Sequence, residues 1–447
     1  MNIVQITPGA GGMYCGNCFR DNSLVRALRQ LGHETLLVPL YLPMTLEEED
    51  QSAGTPIFFG GVSVYLEQLH PVFRRMPGWL HRLLASPRLL KWAAGRAAKT
   101  RAEDVGDLML SMLRGEEGNQ ARELDELAGW LKHQMRPDVI CLSNALLVGL
   151  VRRLRRDLGA PIICMLQGED AFLDSLPPEH RERSWQTLAA RAAEVDLFIA
   201  PSRYFAQRMG TRLGLPPERL RVVYNGINLE GFGSDGAPAP RPAADSAPPV
   251  IGYFARMCRE KGLDTLVAAF LELKRRPGFE SVRLRVGGGC GPGDEKVVRG
   301  LQAQLRAAGL THQVSFHPNV DRAGKLAFFR GLTVFSVPAL YGEAFGLYVI
   351  EALAAGVPVV QPSVASFPEL IEATQGGVLC PPGDAVALAD GLESLLRRPT
   401  EAADMGRRAQ ARVREKFSLE RMATDMIAAY ASVASRGITG GGRVATS

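Results

Sequence analysis

Pro338–Pro358 reads PALYGEAFGLYVIEALAAGVP, and the rest of the chain is organised around it. An apolar run, Leu332–Val337 (LTVFSV), reads as the strand that feeds it, followed by a Pro-Ala-Leu-Tyr-Gly turn. A helix comes next, because Leu347, Ile350, Leu353 and Ala354 recur at helical spacing. Glu343 stands in the turn and Glu351 about two helical turns further on. Gly346 lets the backbone pass close to a ligand, and the helix start after it presents N–H groups with no partner inside the helix. Such an end attracts phosphate. The loop acid can reach sugar hydroxyls and the helix acid a ribose, so the segment suits a ligand that joins sugar to nucleotide.

The chain around this segment has 447 residues, long for one core and suited to two domains. Its 46% hydrophobic and 22% charged residues are those of an ordinary globular protein. A net charge of +5 with no basic block argues against a nucleic-acid partner. No apolar run reaches transmembrane length, and MNIVQITPG reads as a first strand and not as a signal peptide. Seven scattered cysteines point to reduced thiols and a cytoplasmic location.

Strand Asn2–Thr7 enters a glycine loop containing Gly11 and Gly12, and a helix is expected from about Asn22, ending at Gly32. The loop misses both nucleotide fingerprints, with Tyr14 where the dinucleotide pattern needs Gly and Asn17 where the P-loop needs Lys. It reads better as a loop whose backbone faces a cleft. Cys15 and Cys18 have dithiol spacing, but no second ligand pair matches them for zinc, and two small residues in a tight loop is the favoured reading. From His70 to Arg101 basic and apolar residues alternate without Asp or Glu, and Ser86-Pro87 separates two expected helices. This segment can contact an anionic membrane surface, which would suit a lipid-linked acceptor at the inner face. A helical insertion of about residues 70–135 packing on its own domain is the simpler account.

Strands DVICLSN, PIICMLQ, DLFIAPS and RVVYNGIN then alternate with helices. The Arg-rich helix face at Arg152, Arg153, Arg155 and Arg156 reads as solvated. Gly168-Glu169-Asp170 follows the second strand, Ser202 should cap a helix from Arg203, and Asn225-Gly226 closes the last strand. The expected fold class is α/β, with a parallel sheet in each of two domains. Residues 1–232 form the first domain and 233–249, rich in Pro, Ala and Gly, a linker. Residues 250–418 form the second domain, 419–436 a final helix and 437–447 a disordered tail.

At the first turn of the second domain stands Arg256-Met-Cys-Arg-Glu-Lys261-Gly262, directly after a strand. Two cations so spaced in a loop can converge on one diphosphate, Arg256 as a fork and Lys261 as a point charge. A basic surface loop is an equally good account of this motif alone. A second glycine run, VGGGCGPGD, includes Gly287 and Gly288 and leaves room for a ligand.

Together these residues carry a resemblance. EAFGLYVIE is similar to the E-x7-E motif of family 4 of the retaining GT-B glycosyltransferases, the glycosyl transferases group 1 family. FARMCREKG resembles its F-x-R-x-x-x-x-K-G loop, NGIN its N-G-V-D turn and VGGGCGP its G-x-G-P loop. QGGVLCPPGDAVALADGL resembles its N-G-x-L-x-x-P-G-D-x-x-x-L-A segment. The match spans nearly all of the second domain in the right order, and the first domain more weakly.

The resemblance implies two Rossmann-like, doubly wound parallel-sheet domains facing each other across a cleft, a nucleotide-sugar donor and a carbohydrate or lipid-linked acceptor; no cofactor is expected, and the two loop cations can take the place of a metal. It implies that Arg256 and Lys261 hold the diphosphate, Glu351 the ribose and Glu343 the transferred sugar. Backbone at Phe345, Gly346 and Leu347 would meet the distal phosphate, and Pro318, Asn319 and Val320 the base. It also implies that the last helix crosses back to the first domain. No Asp-x-Asp pair stands in the chain to bind a metal. The chain departs from the family in two places. Gln167 replaces a His that contacts the donor sugar, with Glu169, Asp170 and Asn225 as further candidate contacts, and Ala365-Ser366 replaces a Gly-Gly. Gln167 cannot act as acid or base, so a non-catalytic nucleotide-sugar-binding protein is one alternative. Another GT-B enzyme, a nucleotide-sugar 2-epimerase or a phosphorylase, is the other.

Overall fold

The structure, a computed structural model, describes residues 1–9, 16–44, 46, 48–59, 102–233 and 248–439. Gly11, Gly12, Cys15, the basic segment 70–101, most of the linker and the tail from residue 440 lie outside the described residues.

The described chain falls into two compact units, one of Met1–Tyr224 with Met422–Ser447, the other of Asn225–Arg421. The first holds a parallel six-stranded sheet in the order β2-β1-β3-β4-β5-β6. Its strands are β1 (Asn2–Thr7), β2 (Glu34–Pro39), β3 (Val139–Leu142), β4 (Ile162–Met165), β5 (Leu197–Ala200) and β6 (Leu220–Val222). Helices α1 (Gly16–Gln30), α2 (Ala102–Arg114), α3 (Ala121–Gln134), α4 (Val151–Leu158), α5 (Glu169–Asp174), α6 (Pro178–Ala192) and α7 (Arg203–Leu213) surround it. Every residue of β3, β4 and β5 is buried, as expected of strands covered by helices on both faces.

Helix α1 starts at Gly16, earlier than the Asn22 expected from its apolar spacing. The reason is tertiary. Arg20 and Asp21 are buried and ion-paired, and Arg20 Nη2 donates to the Ser143 carbonyl (3.2 Å) and Oγ (3.1 Å) beyond β3, fixing the first turns against the sheet. The Ser202 side chain caps α7 by accepting from the Phe205 N–H at 3.1 Å.

The second unit holds another parallel six-stranded sheet, ordered β12-β11-β10-β7-β8-β9. Its elements are β7 (Val250–Phe254), α8 (Leu263–Leu273), β8 (Arg283–Gly288), α9 (Glu295–Ala307), β9 (Val314–Pro318), α10 (Arg322–Arg330) and β10 (Val334–Phe335). They continue with α11 (Leu347–Ala354), β11 (Val359–Pro362), α12 (Phe367–Thr374), β12 (Gly377–Cys380), α13 (Ala385–Leu396) and α14 (Pro399–Lys416). The strand expected over Leu332–Val337 is regular only at Val334–Phe335, flanked on one side by Pro358, which has no N–H to give the ladder.

Helix α14 was not legible in the sequence and packs Ala402, Gly406, Ala409 and Val413 inward. The last helix, α15 (Leu419–Thr439), runs past residue 436 into what the sequence reads as tail. From Met422 it belongs to the first unit, where Tyr430 is fully buried facing Cys141 of β3. Among the described residues no helix is long and apolar enough to cross a membrane.

Candidate functional site

In the second sheet β7 lies between β10 and β8, so the connections leaving β7 and β10 run to opposite sides. Loops diverging at such a switch point, beyond the carboxyl ends of the strands, are where ligands bind in open α/β sheets. The β7 loop carries Arg256 and Lys261 and ends at Gly262 (φ 71°), which starts α8. The β10 loop carries Glu343 and ends at Gly346 (φ 88°), which starts α11. The loops are stitched together: Leu340 N donates to the Glu260 carbonyl at 3.0 Å.

That stitching brings Lys261 and Glu343 into contact. Lys261 Nζ lies 2.5 Å from Glu343 Oε2. The hydroxyls of Tyr348 (2.9 Å) and Tyr341 (3.1 Å) donate to the same oxygen. Both tyrosine rings also face the ammonium, at 4.9 Å for Tyr341 and 5.1 Å for Tyr348. Burial alone would raise the Glu343 carboxyl, but the Lys261 charge and the hydroxyl donors outweigh it and hold it below its ordinary value. For Lys261, burial is opposed by the Glu343 charge and Tyr341, and the ammonium is held above its ordinary value.

Arg256 is the more exposed cation, its guanidinium forked onto Asp294 with Nε 3.1 and 3.0 Å from the two carboxylate oxygens. Asp294 precedes α9 and also accepts from the Gly291 N–H at 3.0 Å, so it ties Arg256 to the glycine run. The buried Tyr253 hydroxyl donates to the Arg256 carbonyl at 2.7 Å. Gly287 and Gly288 are packed closely by their own unit. A β-carbon at Gly287 would meet the Phe254 ring at 2.7 Å, and one at Gly288 the Ala255 carbonyl at 2.1 Å. The space belongs to the protein's own strands. Pro318 and Asn319 are exposed and Val320 half-buried. The Asn319 side chain is spent on the Cys290 backbone, accepting from N (2.9 Å) and donating to O (3.0 Å).

Glu351 pairs with Lys325 of α10 at 3.0 Å, a residue that nothing in its local sequence marks. Phe345 is buried, and its carbonyl accepts from Ser366 Oγ at 2.8 Å. Leu347 opens α11 half-buried. Ala365 keeps a positive φ of 58° at the place where the family has glycine.

In the first unit the candidate acids serve the fold. Glu169 is buried and accepts from the N–H groups of Ala145 and Gln167, both at 2.8 Å. Burial pushes its carboxyl up, and those N–H donors offset part of the shift. Asp170 pairs with Arg208 at 2.5 Å. Gln167 is half-buried beside them, whereas Asn225, buried, begins the second unit. The structure therefore brings together Lys261 and Glu343 with Gly346, and sets Arg256 and Glu351 on partners of their own. Asp294, Lys325, Tyr253, Tyr341 and Tyr348 were missed. Only the last two carried a signal, flanking Glu343 in its own segment. Among the described residues no cluster of His, Cys, Asp and Glu could hold a metal, and Cys18 is buried in α1.

Two family models match parts of the chain. The family model described as Glycosyl transferases group 1 matches residues 239–412, and that described as Glycosyltransferase Family 4 matches residues 109–230. A phosphatidyl-myo-inositol mannosyltransferase from Mycobacterium leprae is 34% identical over 179 residues, 39% of this chain and 44% of that protein. The chain spans about half the length of the curated relatives it matches. Among solved structures, sucrose-phosphate synthase from Thermosynechococcus elongatus superposes with a TM-score of 0.68 at 20% identity, over 98% of this chain and 100% of that one. The Anabaena protein Alr3699/HepE in complex with UDP gives 0.65 at 17% identity, over 97% and 100%. The fold is GT-B, and residues 239–412 and 109–230 match the models of two glycosyltransferase families.

Proposed function

We infer that this protein is a retaining glycosyltransferase. It would move a sugar from a nucleoside diphosphate sugar to a carbohydrate or lipid-linked acceptor without a metal ion. The observation that carries the reading is the meeting of Lys261 and Glu343 at the switch point between β7 and β10, 2.5 Å apart. An ammonium has three N–H groups, so Lys261 keeps a donor for phosphate while bonded to Glu343. The α11 start, opened by Gly346, adds backbone N–H groups beside it. The UDP in Alr3699/HepE and the mannosyl transfer named for the mycobacterial relative support a donor of this class.

Breaking the bond between the anomeric carbon and the phosphate oxygen leaves negative charge on the departing diphosphate and positive charge on the sugar. Lys261 and Arg256 stabilise the first, as a metal ion does in other transferases. Glu343 faces the sugar, and the carboxylate stabilises its positive character. The acceptor oxygen bonds to the anomeric carbon on the face the phosphate leaves, and the departing phosphate oxygen takes the acceptor proton. Glu351 accepts from the ribose hydroxyls. The test is turnover of a panel of UDP-, GDP- and ADP-sugars with chelator present. A donor should be consumed, and Lys261→Ala should lose about 10²–10³ in rate with the fold intact. Undiminished turnover by Lys261→Ala would sink the reading.

A further inference from the structure

We propose that Tyr348 and Tyr341 are positioning residues for Glu343, locking one carboxylate oxygen so that the other alone is presented to the donor sugar. The proposal rests on the donor-site reading above. Three donors, Lys261 Nζ and the two tyrosine hydroxyls, converge on Oε2 within 3.1 Å. Among the described residues no hydrogen bond is made to Oε1. A carboxylate held by one oxygen from three directions cannot rotate about its terminal bond without losing all three contacts. Its orientation is therefore fixed before any substrate arrives, which is what a group aimed at a developing charge requires.

The donors come from separate elements. Lys261 stands on the β7 loop, Tyr341 on the turn after β10, and Tyr348 in the first turn of α11. The charged and titratable groups facing Glu343 are these three, with Tyr253 of β7 behind Tyr348. Tyr348 is buried at 8% exposure, and burying its hydroxyl among apolar neighbours makes sense only with a fixed acceptor. Ring packing against Phe335 and Phe367, with centroids 6.5 and 6.4 Å away, sets the angle of that hydroxyl. Lys261 thus has two tasks, phosphate on one side and the Glu343 oxygen on the other. The tyrosines share the second task, so the carboxylate stays oriented when phosphate draws the ammonium.

The experiment uses the full chain and its Tyr348→Phe and Tyr341→Phe variants, which keep both rings. UDP, GDP and ADP binding is measured by calorimetry, and consumption of the matching nucleotide-sugars across pH. Each variant should bind the nucleoside diphosphate within about twofold of the parent and lose roughly ten- to a hundredfold in kcat/KM, the range for one hydrogen bond to a charged group. The acid limb of the pH profile should move up, because the carboxylate loses a donor. Unchanged turnover and profile in both variants would overturn the proposal while Lys261→Ala still tested the donor-site reading. An equal loss of diphosphate affinity and turnover would overturn it too, since the hydroxyls would then serve Lys261 and not Glu343. A parent that binds no nucleoside diphosphate would remove the donor-site reading and this proposal with it.

Discussion

A β-carbon added to Gly262 would lie 1.9 Å from the carbonyl oxygen of Pro338. Here the loop that carries the cations packs against the loop that carries Glu343, and no space is left for a side chain. Gly262 also sits at φ 71°, where other residues are strained. Gly262→Ala should therefore cost about 3 kcal/mol, from overpacking and left-handed strain together. A urea melt measures it, and donor binding should fall in parallel because the two loops separate.

The Lys261–Glu343 pair makes stability depend on pH in a definite direction. Glu343, held low, stabilises the fold above the unfolded carboxylate value of about 4.3, and acid removes that contribution as it titrates the folded group. Lys261, held high, contributes below the unfolded value of about 10.4, and alkali removes it as pH climbs past the folded value. Replacing the pair by Lys261→Met with Glu343→Gln should flatten the melting temperature between acid and alkaline ends. The balance between the two proteins should favour the parent most between about pH 5 and 10. A pH-independent difference between the two would contradict this account.

Asp294 holds Arg256 by a fork, and the same carboxylate binds the Gly291 N–H. Asp294→Ala should free the guanidinium to adopt many rotamers. Donor KM is expected to rise roughly tenfold, the worth of one charge-assisted hydrogen bond, with a smaller change in kcat. Steady-state kinetics with saturating acceptor separates the two.

Ala365 occupies the left-handed region at φ 58°, and Ser366 next to it bonds the Phe345 carbonyl. Ala365→Gly should relieve about 1 kcal/mol of strain and give back part of it as unfolded-state entropy, for a net gain near 0.5 kcal/mol. Ala365→Val should lose about 2 kcal/mol, because a β-branched residue fits that region worst. Chemical denaturation of the two variants tests the sign of each.

Much of the second unit was legible because its information is local. Glycine, acid and apolar spacing in Glu343–Glu351 specify a turn running into a helix, and the strand before it specifies which end of the sheet the turn occupies. The partners of those residues were not legible, because each comes from another element. Asp294 follows β8 and Lys325 stands on α10, and no spacing in the chain connects them to Arg256 or Glu351. At Gly287 and Gly288 the sequence marked a glycine run but not the neighbouring rings and carbonyl that leave no space for a side chain there. The early start of α1 escaped the apolar pattern because Gly16, Asn17 and Cys18 are weak helix formers fixed by buried Arg20. Helix α14 escaped it because its buried face is mostly Ala and Gly, which carry little periodic signal.

Three cations around the β7–β10 switch point stand beside acids: Arg256 with Asp294, Lys261 with Glu343, Lys325 with Glu351. Stray inorganic anions such as free phosphate or sulfate therefore meet local electroneutrality and gain little by settling there. A nucleotide-linked sugar gains more, since its base, ribose and hexose add contacts that a bare anion lacks. On the donor reading proposed above, that pairing discriminates against small anions, and capture should depend only weakly on ionic strength.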